Sequence, residues 1–304
     1  MVKRMMMALA CAAGMSLSGE GAAKLVPIGE AEVGFRLHLG VMRLEGMDLS
    51  CEEMDSLEVR TNGTRVVGVW KGHPLFGPDF TATATFERKG EGWEYAFGWT
   101  GLDAWKFTVE TVSFPDLVVP RTDRSGVLYS RAHGMGMICR PDWEKWGWER
   151  EPFVREAMRE FQFMALLDDE KPGWYLDARD PEARFKQSYA YCRVGLADPH
   201  ARLGITSFPP ATKEATAAYT LPWKGVIVPF RGGWWDAARI YRPWALEQKW
   251  AKAALARIAA GEPPGPSFET LRKTLREGRI FAIVTARGHA PETIRQAVQL
   301  FIES

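Results

Sequence analysis

Three tryptophans in one short stretch are the residues best suited to hold a ligand. Residues 140–152 contain Trp143, Trp146 and Trp148, separated mostly by charged residues. An indole ring offers a broad, rigid apolar face that suits the apolar face of a sugar ring, and nearby charged groups can hydrogen-bond sugar hydroxyls. The alternative is that these rings pack onto the rest of the protein. The pattern predicts a substrate-binding loop for a sugar at these three tryptophans.

Acid–base chemistry on a glycosidic bond would need two carboxyl groups that face each other across the substrate. No spacing in the sequence singles out such a pair. Asp177 and Asp180 stand close together, but Asp180-Pro181 is typical of the start of a turn, so we interpret both aspartates as turn-capping residues. The sequence therefore leaves the catalytic residues unassigned.

The cysteines and histidines are scattered along the chain. The sequence has no Cys-x-x-Cys pair and no Cys/His cluster, so a zinc site is not indicated and we expect neither a metal nor a cofactor. Beyond residues 1–23 the cysteines are Cys51, Cys139 and Cys192. An odd number cannot pair completely. A disulfide between Cys139 and Cys192 is one arrangement, and the sequence does not decide it.

The composition is that of a soluble globular protein. The 304 residues are 46% hydrophobic and 25% charged, with a net charge of +1. This length allows one large domain or two ordinary ones. Because no long run of one charge occurs, we expect no nucleic-acid partner.

The first residues have the layout of a secretory signal peptide. Lys3 and Arg4 precede an apolar run over 5–17, and small residues follow at 21–23. This pattern predicts a signal peptide over 1–23 and a secreted or periplasmic protein. The apolar run is too short to cross a bilayer comfortably, so we expect no membrane span.

Residues 24–232 carry the pattern of a mainly β domain. Ala31–Leu39 alternates apolar and polar residues, 57–70 is a hairpin with a type I′ turn at Asn62-Gly63, and 80–99 is a hairpin with a longer loop. Further strands are expected at 105–112, 126–130, 161–167, 173–177, 188–195, 215–221 and 225–230, and a short helical turn at 153–160. About a dozen strands predict a large antiparallel β-sandwich, or super-sandwich, of two facing sheets.

A helix follows the sandwich over 233–261. Trp234, Ala237, Tyr241 and Trp244 recur at helical spacing, which predicts a docking helix whose aromatic stripe, including Trp235, packs on the sandwich or on a partner domain or chain. Pro243 predicts a kink or the start of a second helix. Residues 262–266 read as a linker, and 267–304 as a short αβα fragment.

The stretch 115–245 resembles the N-terminal galactose-mutarotase-like β-super-sandwich of bacterial glycoside-hydrolase-like proteins. The resemblance rests on Phe114-Pro-Asp-Leu, on 173–180 (GWYLDARD) and on 229–244 (PFRGGWWDAARIYRPW). In that family a catalytic barrel follows the sandwich and carries the catalytic carboxylates. No barrel fits after Glu262, so the resemblance transfers no catalytic residue to this chain.

The tail resembles a second family over a shorter stretch. Residues 280–289 are similar to the second motif of haloacid-dehalogenase-like phosphatases, in which Thr285 would hold a phosphoryl group. Those enzymes also need an Asp-x-Asp nucleophile motif, which this sequence lacks. We interpret the tail as a structural βα unit.

Three functions follow from these observations. The first is an exported, carbohydrate-associated sandwich domain of a glycoside-hydrolase-like protein, without the barrel, that binds a polysaccharide or oligosaccharide. The second is a glycoside hydrolase or lyase with its site on the sandwich face. The third is a phosphatase fragment that acts through the tail.

Overall fold

A computed structural model describes residues 24–41, 44–131, 135–139, 154–158, 161–191 and 200–261. The expected signal peptide, linker and αβα tail lie outside these residues. Residues through Trp244 belong to one compact unit, and residues from Ala245 belong to a second. Among the described residues, no helix combines the length and the apolar character that crossing a membrane requires.

The described residues form strands, three α-helices and one 3₁₀ turn. The strands are β1 Val26–Ile28, β2 Ala31–Val41, β3 Leu44–Ser50, β4 Ser56–Asn62, β5 Arg65–His73, β6 Gly77–Lys89, β7 Gly92–Thr100, β8 Phe107–Pro120, β9 Gly126–Arg131, β10 Met135–Cys139, β11 Val154–Ala157, β12 Phe163–Leu167, β13 Gly173–Asp177, β14 Lys186–Tyr191, β15 His200–Ser207, β16 Ala218–Thr220 and β17 Gly225–Phe230. The helices are α1 Lys213–Ala217, α2 Trp234–Glu247 and α3 Lys249–Ala259, and the 3₁₀ turn is Cys51–Glu53.

The strands build two antiparallel sheets, as the sequence predicts. The seven-stranded sheet has the order β1-β2-β8-β15-β14-β11, with β3 also paired to β2. The ten-stranded sheet has the order β10-β9-β12-β13-β17-β7-β6-β5-β4, with β16 also paired to β7. The prediction of a large two-sheet β-sandwich is therefore confirmed.

Large aromatic side chains join the facing sheets. Phe97 of β7 stacks on Phe114 of β8 with ring centres 4.3 Å apart, and Phe35 of β2 contacts Phe97 at 5.3 Å and Trp70 of β5 at 5.1 Å. All four side chains are buried. Because strand side chains alternate between faces, this core leaves every second residue of β2, β8, β14 and β15 on the opposite, outer face of the seven-stranded sheet.

Both predicted hairpins form, but their turns are tighter or shifted. Asn62 pairs with Arg65, so the turn residues are Gly63 and Thr64. Only Gly63 of these two has a positive φ, at 51°, and a type I′ turn requires two such residues, so that prediction is wrong. In the second hairpin Lys89 pairs with Gly92, which leaves a two-residue loop rather than a longer one.

Two local predictions are wrong in part. The expected helical turn at 153–160 contains strand β11, which pairs with β14 and so completes the sheet edge. The expected strand at 215–221 begins as helix α1, because the Thr212 side chain accepts a hydrogen bond from the Ala215 backbone N–H at 3.2 Å and caps the helix. The buried Trp99 then binds the Thr216 carbonyl at 2.9 Å.

The helix after the sandwich differs from its prediction in two ways. It runs through Pro243 without ending there, and the break falls at Gln248, between α2 and α3. Trp234 and Trp235 are 55% and 57% exposed rather than packed in the core. The face of this helix that packs consists of the buried Ala237 and Tyr241. The two tryptophans of the first turn are not part of that face.

Candidate ligand-binding site on the seven-stranded sheet

The site residues predicted from sequence are only partly visible. Trp143, Trp146 and Trp148 lie outside the described residues, so their substrate-binding role stays a prediction. Thr285 also lies outside them. Within the described ranges, no group of three or more His, Cys, Asp and Glu side chains is arranged to hold a metal ion. Cys51 and Cys139 are free thiols, and Cys192 falls in an undescribed segment.

Asp180 caps a turn, as predicted. Its oxygens accept hydrogen bonds from the backbone N–H groups of Glu182 at 3.1 Å and Arg184 at 2.9 Å. The sequence pattern did not indicate the second role of Asp180, an ion pair of 2.6 Å with the buried ammonium of Lys186. Burial raises the pKa of Asp180, but the bond to Lys186 and the backbone donors more than offset it and lower the pKa overall.

Asp177 does not cap a turn as predicted but joins strands β13 and β17 of the ten-stranded sheet. It is fully buried, and its oxygens accept hydrogen bonds from the Val226 backbone N–H at 2.8 Å, the Tyr175 hydroxyl at 2.8 Å and the Arg179 side chain at 3.1 Å. Burial raises the pKa of Asp177. Because both oxygens are occupied, Asp177 positions strands and is not open to a substrate.

A third buried carboxylate lies on the outer face of the seven-stranded sheet. Asp116 of β8 stands in register with Gly34 of β2 on one side and with Gly204 of β15 on the other. These two glycines let other side chains pack closely beside Asp116: Cys51 and Leu25 fill the space next to Gly34, and Tyr189 fills the space next to Gly204. A Cβ at position 204 would lie 2.1 Å from the Tyr189 ring, so only glycine lets Tyr189 cover this place.

Three side chains converge on Asp116. Arg36 Nε donates to its Oδ2 at 3.2 Å and Arg202 Nη1 donates to the same oxygen at 2.8 Å, while the Tyr189 hydroxyl donates to Oδ1 at 3.1 Å. Asp116 is 1% exposed. Removing a carboxylate from water this completely is costly, and these charge-assisted hydrogen bonds offset that cost.

Arg202 connects this carboxylate to the 3₁₀ turn. Its Nη2 donates to Glu52 Oε1 at 2.7 Å, and its Nη1 also reaches the Tyr191 hydroxyl at 3.3 Å. Burial lowers the pKa of Arg202, but the nearby carboxylates of Asp116 and Glu52 raise it by a larger amount. The net shift of the pKa is therefore upward, and the guanidinium stays charged. Its hydrogen bonds to Asp116, Tyr191 and Glu52 all lie within this group, so Arg202 is a buried structural residue.

Arg36 is the open member of the group. Its guanidinium carbon lies 4.6 Å from the centre of the Tyr191 ring, and its Nε is bound to Asp116. Its side chain is 37% exposed, and within the described part of the chain no residue accepts a hydrogen bond from its two terminal nitrogens. The planar guanidinium is thus held through Nε by Asp116 and through one face by the Tyr191 ring. Its two terminal nitrogens make no hydrogen bond to the described residues.

This arrangement offers hydrogen-bond donors at its surface, while its buried carboxylate is already hydrogen-bonded. Two arginines balance two carboxylates, Asp116 and Glu52, and every oxygen of the three buried aspartates accepts a hydrogen bond. The free donors of Arg36 suit a pair of oxygen acceptors, as in a carboxylate or two adjacent hydroxyls. We call Arg36, Asp116, Tyr189, Tyr191 and Arg202 the Arg36 site.

Sequence reasoning missed the Arg36 site. Asp116 lies in the Phe114-Pro-Asp-Leu stretch that carried a family resemblance, but its partners are remote in the chain. The available signal was the glycine on each flanking strand opposite Asp116, and that signal exists only once the strand register is known.

A groove on the ten-stranded sheet is a weaker candidate. It has a volume of about 260 Å³. Its polar lining consists of the threonines Thr81, Thr83, Thr85, Thr100 and Thr220. Among these described lining residues there is no charged side chain. Neutral hydroxyls offer weaker hydrogen bonds than a guanidinium, so the Arg36 site is the stronger binding feature.

No protein-family model matches the chain, and no curated protein matches it. Solved structures similar to it include the α-N-acetylgalactosaminidase NagBb from Bifidobacterium bifidum in complex with GalNAc, at 14% identity over 73% of this chain, with a TM-score of 0.44. This chain spans 38% of the NagBb chain.

Two other similar structures are the GH36 α-galactosidase AgaA from Geobacillus stearothermophilus and a galactose mutarotase related enzyme from Lactobacillus acidophilus. AgaA has 11% identity over 73% of this chain and 31% of its own, with a TM-score of 0.34. The Lactobacillus protein has 9% identity over 62% of this chain and 76% of its own, with a TM-score of 0.32. These are likenesses of backbone architecture. They give no support to a phosphatase-like tail.

Proposed function

We propose that this chain is a carbohydrate-binding β-sandwich related to glycoside hydrolases and that it holds a saccharide at the Arg36 site. The observation that carries the proposal is the guanidinium of Arg36, fixed by Asp116 and by the Tyr191 ring with its outer edge open. The resemblance of 115–245 to the sandwich of glycoside-hydrolase-like proteins points to the same ligand class.

Preorganisation is the physical reason that this surface suits a sugar. A free arginine loses side-chain entropy when it binds, whereas Arg36 is already restrained by an ion pair of 3.2 Å and by ring contact. The guanidinium presents parallel donors, and the ligands that match them are a uronate carboxylate or two adjacent hydroxyls. The Tyr191 hydroxyl accepts a hydrogen bond from Arg202 Nη1 at 3.3 Å, which helps to hold the ring under Arg36.

Binding rather than hydrolysis is the activity that this geometry favours. Asp116, Asp177 and Asp180 are 1%, 0% and 0% exposed, and each oxygen of the three has a donor in the structure. Hydrolysis would need two carboxyl groups that can reach a glycosidic oxygen and a water or the anomeric carbon. These three aspartates are not free to act as such a pair, so we propose a binding role for the described sandwich, and export through 1–23 is part of the proposal.

The test is calorimetric titration of the full chain with lactose, cellobiose and digalacturonic acid, for the wild type and for Arg36→Gln. Loss of charge-assisted hydrogen bonds should weaken binding roughly 10-fold or more. The matched control is Arg60→Gln, since Arg60 is an exposed arginine on β4 whose Nε binds Glu58 at 2.6 Å.

The three sugars separate the ligand chemistries. Preference for digalacturonic acid would assign the fork to a carboxylate, and preference for a neutral disaccharide would assign it to hydroxyls. Equal affinity of wild type and Arg36→Gln for every sugar that binds would overturn the Arg36 site. Sequencing the N-terminus of the protein recovered outside the cytoplasm tests export.

A further inference from the structure

A second binding feature begins with a buried hydroxyl that has no partner. Ser207 is 7% exposed, and in the described part of the chain its Oγ has no hydrogen-bond partner. Leaving a buried hydroxyl unpaired costs free energy, so native proteins rarely do so without a reason. Ser207 therefore lacks a hydrogen bond that a ligand could supply.

The neighbouring lysine cannot satisfy Ser207. Lys186 pairs with Ser207 in the register of β14 and β15, so the two side chains are adjacent. The Lys186 ammonium already donates to Gln162 at 3.1 Å, to Asp180 at 2.6 Å and to the Arg184 carbonyl at 2.9 Å. An ammonium has three N–H bonds, and all three are used.

A small cavity lies against Ser207. The volume of this cavity is about 20 Å³. Its lining combines Ser207 and the stem of Lys186 with apolar surface from Leu221, Pro222 and Trp223. This volume accommodates one oxygen atom and little more.

Exposed aromatic rings form the rim of the same cavity. Phe185 and Phe208 are 53% and 43% exposed, and their ring centres are 5.1 Å apart. Tyr219 also lines this cavity, and among the described residues its hydroxyl has no hydrogen-bond partner. Arg184 contributes a guanidinium whose side chain is 48% exposed. We call these residues, with Ser207, the Ser207 recess.

We infer that the Ser207 recess is a second saccharide subsite, separate from the Arg36 site. The C–H face of a sugar ring covers Phe185 and Phe208, and one ring or exocyclic hydroxyl enters the cavity and bonds Ser207. Tyr219 and Arg184 bond hydroxyls at the ring edge. The inference rests on the proposed function for its ligand class but uses none of the Arg36 site residues.

A saccharide explains the recess better than a purely apolar ligand. Two adjacent exposed phenylalanines need an apolar cover, whereas the buried hydroxyl beneath them needs one polar atom. A sugar ring presents both on one side, because its C–H bonds form an apolar face and its hydroxyls project from the edge. An apolar ligand would leave Ser207 unpaired.

The test uses the full chain and the same three sugars, with Ser207→Ala and Phe208→Ala as variants. Saturation-transfer NMR reports which sugar protons touch aromatic rings, and calorimetry gives the affinity. We expect Phe208→Ala to weaken binding about fivefold to tenfold and to remove the ring-proton signals. Trp105→Ala is the control, since Trp105 is 75% exposed and does not line the recess.

Ser207→Ala separates a ligand role from a structural one. The substitution removes a hydroxyl that makes no hydrogen bond to the described residues, so folding should be unchanged or slightly more stable while sugar affinity falls about fivefold. If affinity is unchanged in both variants, the cavity holds only a water and the inference is overturned.

Comparison with Arg36→Gln distinguishes the two proposals. Weaker binding in Arg36→Gln alone supports the proposed function and overturns the second subsite. Weaker binding in the recess variants alone supports the subsite and overturns the Arg36 site. Absence of binding of all three sugars to the wild type overturns both.

Discussion

The guanidinium carbon of Arg36 lies 4.6 Å from the centre of the Tyr191 ring, although the strands that carry the two residues are not paired with each other. The two residues belong to β2 and β14, which are separated by β8 and β15. Long side chains therefore bridge over Asp116 and the glycines beside it. This bridge restrains a charged side chain on the outer face of the seven-stranded sheet, where we propose that a saccharide binds.

The Tyr191 ring should matter more than its hydroxyl. Tyr191→Phe keeps the platform under Arg36, so we expect sugar affinity to stay within about twofold, whereas Tyr191→Leu should weaken it about 10-fold because the guanidinium is no longer restrained. Calorimetric titration of the two variants checks this. A larger loss in Tyr191→Phe would show that the hydroxyl itself binds the ligand.

Replacing Asp116 by Asn should destabilise the fold. Asn keeps the shape but leaves Arg36 and Arg202 facing a neutral group, and we expect a loss of about 3 kcal/mol in the free energy of unfolding. Urea unfolding of Asp116→Asn measures it. The control Asp48→Asn removes a carboxylate that is 84% exposed, and its effect should stay within about 1 kcal/mol. Equal effects in the two variants would contradict a buried network.

A methyl group at position 204 should disturb the same network. The Cβ of Gly204→Ala would meet the Tyr189 ring, displace its hydroxyl from Asp116 and cost about 1–3 kcal/mol of stability. Gly233→Ala is the control, since no atom lies within 4 Å of its added Cβ. Tyr189→Leu combined with Gly204→Ala should recover part of the loss, because the clash disappears. Strictly additive losses would contradict contact between the two sites.

Stability in acid should depend on Asp168. Burial raises the pKa of this residue, but hydrogen bonds from Ser125, Thr122 and two backbone N–H groups lower it overall, to about 2. Its ordinary value is 3.8. A lowered pKa stabilises the folded state above the ordinary value, and this contribution is lost as the pH falls from about 4 to about 2.

Asp168→Asn tests this contribution. The variant should lose on the order of 1–2 kcal/mol at pH 7 and show a smaller stability change between pH 5 and pH 2 than the wild type. Urea unfolding across this range measures both quantities. Asp123→Asn is the control, since Asp123 is 95% exposed. An unchanged pH slope in Asp168→Asn would contradict the assignment.

Local sequence patterns determined most of the fold. Alternation of apolar and polar residues in Ala31–Leu39 and in 80–86 predicts strands, because one face of each strand must be buried. The first stretch lies in β2 and the second in β6. Turn chemistry at Asp180-Pro181 predicts an Asx turn, and Asp180 accepts the expected backbone donors. These features depend on neighbours in sequence, so a single chain suffices to predict them.

Only the tertiary structure decided which charged groups meet and which aromatics stay exposed. Arg36, Asp116 and Arg202 come together because the register of β2, β8 and β15 places Gly34 and Gly204 beside Asp116. Helical spacing alone indicated that Trp234 faces the sandwich, yet Trp234 is exposed while Ala237 and Tyr241 of the same helix are buried. Strand register and helix direction are set by packing between distant parts of the chain, and no local pattern encodes them.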